Sequence, residues 1–365
     1  MIKYTKTGEC NPLIMKKIFL SLLILCSLQG YGQAPICIGE TFSMESTILK
    51  ETRKVDIYLP PSYTNSQLQP SDYPVIYLLD AENNFRYFTT LMEKLTQGIP
   101  SVPEFIIIGI ENTQRERDLT PISLPSNPEN TGGNPLFLSF LKEEVVPMVE
   151  KKYRCKDFRI LVGHSLSGLA TINALITETE LFNVYIAHDP SLWWNNNYGL
   201  ELFEKNKGKD FLNRILYISH SEQKKRDNGR ERHVASLQQL EEMFFRGDFQ
   251  NIQWKIVGYP KENHGSIQII GNLNLIRDLF SEMFIDRSEI LKNPSIIDQR
   301  YQALSEKLHY PFSPSELYLN NTARWLENSH KKDIALQLLK ENAKRYPNSS
   351  QAKRALEDFL NRNPQ

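Results

Sequence analysis

The segment Leu161-Val-Gly-His-Ser-Leu-Ser-Gly-Leu-Ala170 sets Ser165 among small residues where an apolar run gives way to a helical pattern. Residues 158–162 read as a buried strand and residues 169–176 as a helix, so Ser165 falls on the sharp strand-to-helix turn called a nucleophile elbow. Such a turn strains the serine and lifts its Oγ above the sheet. It also leaves the amide of Leu166, at the helix start, free to stabilise an oxyanion. The chemistry implied is attack by a hydroxyl on a carbonyl carbon. The usual Gly-x-Ser-x-Gly spacing is broken at its fifth position by Ser167, with Gly168 one residue later. A hydroxymethyl group where helix and strand cross is expected to be tolerated with slight crowding.

A serine hydroxyl is a weak nucleophile until a base takes its proton, so a histidine is needed on a later loop. Of the seven histidines, His264 in Pro260-Lys-Glu-Asn-His-Gly-Ser266 follows the last strand pattern and precedes the last large helix of the body. It is the expected base, with Gly265 expected to allow a sharp turn beside it. His164 is read as a packing or turn-bracing residue. His188, His220 and His233 fall on or near loops at the same sheet end, where each could contact substrate or serve structurally; His309 and His330 fall in the tail. The acid that orients the imidazole is expected after the strand at 215–219, with Glu222 first in reach and Asp227 and Glu231 further along a charged loop. An unassisted Ser-His pair is the other option. The second oxyanion donor is expected in Asp80-Ala-Glu-Asn-Asn84, from an amide at Ala81 or Glu82, with the Asp80 side chain bonding the loop itself.

The elements that must position these groups are legible as patterns. Residues 41–49 and 52–59 alternate in polarity like an antiparallel hairpin. Apolar runs at 74–79, 104–110, 160–162, 184–187, 215–219 and 252–257 suit strands buried on both faces. Helical patterns at 85–97, 136–152, 169–176, 234–245 and 267–284 separate them, which means parallel strands with crossover helices in a doubly wound sheet. Sites in such sheets lie beyond the carboxyl ends of the strands, where the loops after Leu79, Val162, Ser219 and Val257 all fall.

The 43 basic and 43 acidic residues cancel, which argues against nucleic acid or an anionic membrane as the main partner. Met15-Lys-Lys, an apolar stretch of about 11 residues at 18–28, and Gly30-Tyr-Gly32 have the three parts of a secretory signal peptide, too short in its apolar core to span a bilayer. Met15 then reads as a plausible start with residues 1–14 upstream, cleavage falls near Gly32, and the mature chain is expected to be periplasmic or secreted without membrane insertion. That leaves Cys37 and Cys155, paired or unpaired. No metal-ligand or phosphate-loop motif is present, so the expected chemistry needs no metal and no cofactor. The chain divides into residues 1–32, upstream extension and leader; 33–290, an α/β body; and 291–365, a helical tail. Three helical patterns in the tail, at 316–328, 331–346 and 351–360, resemble a tetratricopeptide unit, serving either as a brace on the body or as a docking module for a protein partner.

Five ordered motifs together resemble one family. They are the Ser165 elbow, Asp189-Pro-Ser-Leu-Trp-Trp-Asn195, Asn112-Thr-Gln-Arg-Glu-Arg-Asp-Leu-Thr-Pro121, Tyr77-Leu-Leu-Asp80 and Glu262-Asn-His-Gly-Ser266. The chain is similar in them to the esterases related to enterochelin esterase and esterase D, over about residues 39–284. The resemblance implies an α/β-hydrolase fold, a nucleophile at Ser165 and a base at His264. Family members include siderophore trilactone esterases, carbohydrate ester hydrolases and acyltransferases, so the expected partner is a small-molecule ester of one of these classes. Ala81 departs from the glycine that often follows Leu-Leu-Asp. Trp193 and Trp194 are expected near the elbow, lining a pocket for an aryl or sugar group or packing the loop. Arg115 and Arg117 could grip an acidic substrate or pair with Glu116 and Asp118. Besides hydrolysis, the readings held open are acyl transfer and a catalytically idle hydrolase scaffold that binds a partner.

Overall fold

The computed structural model describes residues 36–222 and 228–364, the backbone alone at 228–232. The leader pattern at 1–32 and Asp227 lie outside the described residues. From Ile38 onward the chain is one compact unit. The eight strands among the described residues are β1 (Glu40–Ser46), β2 (Glu51–Tyr58), β3 (Tyr73–Leu79), β4 (Ile106–Ile110), β5 (Cys155–His164), β6 (Val184–His188), β7 (Asp210–Ser221) and β8 (Gln250–Tyr259). They form one sheet in the order β1-β2-β4-β3-β5-β6-β7-β8. The β1–β2 and β2–β4 pairs are antiparallel and every later pair is parallel.

Burial explains why the central runs are almost wholly apolar. Every residue of β3, β4 and β6 is buried, because helices cover both faces of the sheet and leave no polar side to alternate with. Helices Ala81–Thr96, Leu166–Thr177, Asn228–Phe245 and Ile267–Leu279 overlap the helical patterns, the first three beginning three to six residues earlier and the last ending five residues sooner. The pattern at 136–152 is instead a broken helix, Asn134–Phe140 and Val146–Lys152 joined by a π-turn at Leu141–Val145. Pro147 lacks the N–H that an unbroken α-helix would need, and the widened turn accommodates that loss.

Four helices were not read in the sequence. Arg115–Leu119 and Arg287–Lys292 are five and six residues long, too short to show a period. Trp194–Lys205 opens through Asn195, Asn196 and Asn197 in left-handed backbone, which reads as a loop. Ile296–Leu308 has an apolar stripe of Ile297, Tyr301, Leu304 and Leu308.

The tail helices Glu316–Asn328, Lys332–Arg345 and Ser350–Arg362 share an apolar core with the sheet. Phe312 meets Phe158 and Phe280 edge-on at 5.1 and 5.8 Å between ring centroids. The buried Glu316 accepts hydrogen bonds from the Gln69 amide at 3.1 Å and from Ser349 Oγ at 2.6 Å. Phe158 lies near the start of β5 and Ser165 follows its end, about 23 Å apart at ~3.3 Å per strand residue. The tail therefore closes the amino end of the sheet, opposite the strand ends where the candidate site is expected.

Candidate active site

Parallel register brings the ends of the central strands level. His164 of β5 pairs with His188 of β6, and His188 with Ser219 of β7. Residues just past those ends are therefore neighbours, although far apart in sequence. Ser165 sits at φ 61°, ψ −116°, a left-handed conformation that costs about 1–3 kcal/mol in a residue other than glycine. Three backbone hydrogen bonds hold it there: Ser165 N donates to the His188 carbonyl at 2.9 Å, and the Ser165 carbonyl accepts from Ser191 N at 3.0 Å and from Leu169 N at 3.1 Å. Leu166 opens the following helix, so its amide has no carbonyl one turn earlier to bond.

His264 reaches the elbow from the loop after β8. Ser165 Oγ lies 3.1 Å from His264 Nε2, and His264 Nδ1 donates to Asp189 Oδ2 at 2.8 Å. The carboxylate on the imidazole is thus Asp189, not Glu222. Asp189 follows β6 at φ 41° and is 1% exposed. Its carboxylate also accepts from Ser221 N at 3.0 Å, Ser221 Oγ at 2.9 Å and His233 Nε2 at 3.0 Å. Glu222 is exposed, its amide donates to the Tyr259 carbonyl at 3.1 Å, and its carboxylate lies over the Cα of Gly258. The sequence reading placed the acid one strand too late. Asp189 was quoted within a motif without a role, yet a carboxylate immediately after a buried strand and before Pro190 was the signal for it.

The turn around His264 is built by its neighbours. Asn263 Oδ1 accepts from the amides of Gly265 and Ser266, at 2.9 and 3.1 Å. A Cβ on Gly265 would meet only that oxygen, at 3.4 Å, so the turn does not require glycine there. His164 Nε2 donates to the His264 carbonyl at 2.7 Å, and the two rings are 4.5 Å apart. This is the bracing role read for His164. Burial, then the neighbouring His264, pushes the His164 ring down to about 4, so it stays neutral beside the His264 ring.

Ser167 does not crowd the elbow. It is fully buried; its Oγ accepts from His164 N at 2.7 Å and lies 2.8 Å from both Asp80 Oδ2 and the His164 carbonyl, which share its proton. The close crossing of strand and helix falls on Gly163, where a Cβ would sit 2.2 Å from the Ser167 carbonyl oxygen. Asp80 bonds the loop as expected, and more widely. Arg115 grips it with Nε and Nη2 at 2.8 Å each, and Asn112 Nδ2 donates to it at 2.6 Å. Burial works to raise the Asp80 carboxyl, but the Arg115, Asn112 and Ser167 bonds outweigh it and hold it below its ordinary value. Arg115 is therefore a brace under the elbow, not a free cation for substrate. Arg117 pairs with Glu51 and Asp118.

Glu82 turns its carboxylate onto the Asn112 amide and side chain, at 3.2 and 2.7 Å. Its own amide and that of Ala81 belong to the first turn of a helix, after Asp80 at φ 54°. Trp193 is 49% exposed on the segment that begins at Asp189, while Trp194 packs partly against the core. Of the other histidines, His188 is buried, its Nδ1 accepting from Ser219 Oγ at 2.7 Å and its Nε2 donating to Asn272 Oδ1 at 2.8 Å. It is structural. Cys37 and Cys155 are free thiols.

A hydroxyl on a strained turn, an imidazole on that hydroxyl and a buried carboxylate on the imidazole can carry out nucleophilic acyl chemistry. Comparison with known proteins agrees. The family model described as "Putative esterase" matches residues 46–241, more than half of the chain. The chain belongs to this esterase family. It is 31% identical over 229 residues to the ferri-bacillibactin esterase BesA of Bacillus subtilis (strain 168), covering 54% of this chain and 78% of that protein. It is 32% identical over 165 residues to the siderophore enterobactin esterase of Emericella nidulans, covering 39% of this chain and 54% of that one. The crystal structure of an IroE-like serine hydrolase from Shewanella oneidensis superposes with a TM-score of 0.75 at 31% identity, covering 84% of this chain and 99% of the other. The fold of this esterase-family chain is accordingly that of an α/β-hydrolase with a helical C-terminal region.

Proposed function

We propose that this hydrolase is an exported serine esterase acting on siderophore-type esters through an acyl-enzyme on Ser165. The observation that carries the reading is the unbroken relay from Ser165 Oγ through His264 to the buried Asp189. Ser165 Oγ attacks the ester carbonyl while its proton passes to His264 Nε2. Asp189 stabilises the imidazolium, and the Leu166 amide together with an amide at Ala81 or Glu82 receives the oxyanion. The C–O bond to the alcohol then breaks as His264 returns the proton to the leaving oxygen. Water, deprotonated by His264, attacks the acyl-serine and frees the acid and Ser165.

The substrate class rests on the relatives, one named a ferri-bacillibactin esterase and another a siderophore enterobactin esterase, and on the exposed Trp193 ring on the segment that follows Asp189, a surface on which an aryl acyl group could stack. Export rests on the leader pattern that begins at Met15. Comparing kcat/KM for a catechol trilactone, an acetylated sugar and a short p-nitrophenyl ester tests the substrate. The lactone is expected to be preferred by at least tenfold; preference for the sugar ester would move the assignment to carbohydrate esters. Sequencing the N-terminus of the protein from its native host tests export, with a mature start near Gln33 expected and a retained Met15 contradicting it.

A further inference from the structure

Asp189 is held by two histidines, one on each carboxylate oxygen, and only one of them touches the nucleophile. His264 Nδ1 donates to Oδ2, as described above, and His233 Nε2 to Oδ1 at 3.0 Å. His233 comes from the helix Asn228–Phe245, which belongs to neither the elbow nor the His264 loop. It is 3% exposed, and among the described residues its Nδ1 is buried without a hydrogen-bond partner. The ring is therefore anchored through its Nε2–H on Asp189, which fixes its tautomer with the proton on that nitrogen.

We propose that His233 is a positioning residue of the relay, locking the plane of the Asp189 carboxylate so that Oδ2 stays in line with His264 Nδ1. The inference rests on the reading of Ser165, His264 and Asp189 as the reacting relay. A carboxylate turns easily about its last torsion, whose wells are broad, and Asp189 already occupies left-handed backbone. Ser221 supplies one donor to each oxygen, from N and Oγ, but both come from a single residue at the end of β7. His233 supplies a rigid donor from another element. Losing it lets the plane rock and His264 swing from its line with Ser165, a displacement felt in the chemical step more than in substrate binding.

The test uses the full chain and steady-state hydrolysis of a p-nitrophenyl ester. His233→Leu is expected to lower kcat about tenfold with KM within twofold. His233→Gln, whose side-chain amide extends a donor as far as Nε2, is expected to recover at least half of the loss; His233→Asn, too short to reach, is not. If His233→Leu fails to fold, the Gln and Asn pair carries the same comparison. Unchanged kcat in His233→Leu, or Gln and Asn variants of equal activity, would overturn the proposal. A Ser165→Ala protein that stays active in the same assay would instead overturn the relay itself, so the two failures are distinguishable.

Discussion

At the residue scale the serine and histidine that the structure brings together were legible, and the carboxylate beside them was not. Ser165 and His264 announce themselves by local context, small residues around a serine after an apolar run and a histidine in the loop after the last strand. An acid has no such local signature, because it needs only a carboxylate at the right strand end, and Asp189, Glu222 and Asp227 all satisfy that in sequence. Burial separates the first two: Asp189 is enclosed with at least four donors, whereas Glu222 is exposed. Asp189→Asn should therefore cost between about 10² and 10⁴ in kcat, since an amide can present its N–H to Nδ1 and favour the wrong imidazole tautomer. Glu222→Ala should change kcat by less than about threefold. Parallel kinetics on the two variants check the assignment, and the opposite order would return the role to Glu222. Ser167 is accommodated, as expected, but weighing side-chain volume alone at the fifth elbow position missed the buried Asp80 that its hydroxyl reaches.

At the element scale every strand was read, the first two from their alternation and the central ones from the apolar runs that burial on both faces leaves in β3, β4 and β6; β8, read as buried on both faces, is only partly buried. The hydrogen bonding beneath the strands was not read, since it depends on which strand ends stand level. His188 shows the consequence. Burial pushes its ring down to about 4 from an ordinary 6.5. Between those values the unfolded chain binds a proton that the folded protein refuses, so stability rises with pH across the window and falls on acidification. The loss from this group is on the order of 3 kcal/mol by pH 4. Urea midpoints measured from pH 7 to pH 4 should fall steeply in the native protein and less steeply in His188→Gln, whatever that variant's stability at pH 7. Equal slopes would show that the ring does not carry this proton linkage.

At the scale of the whole molecule, the sheet separates chemistry from bracing. Every residue of the relay lies past the carboxyl ends of β5, β6 and β8 or beside them, and the tail shares a core with the opposite end. The three tail helices were legible from their apolar spacing, but the packing of Phe312 onto Phe158 and Phe280 was not, because aromatic partners 154 and 32 positions away leave no trace in a local pattern. Phe312→Ala should destabilise the chain by about 3–5 kcal/mol, visible as a lower thermal midpoint. Its kcat/KM at 25 °C should remain within about twofold of the unaltered protein's. A large loss of activity in a still-folded variant would mean that the two ends of the sheet are coupled. The measurement that bears most directly on the whole account is hydrolysis of a short p-nitrophenyl ester by the native chain and by Ser165→Ala under identical conditions. The native protein is expected to turn over and the variant to lose at least a thousandfold in kcat; equal rates in the two would contradict the account at its centre.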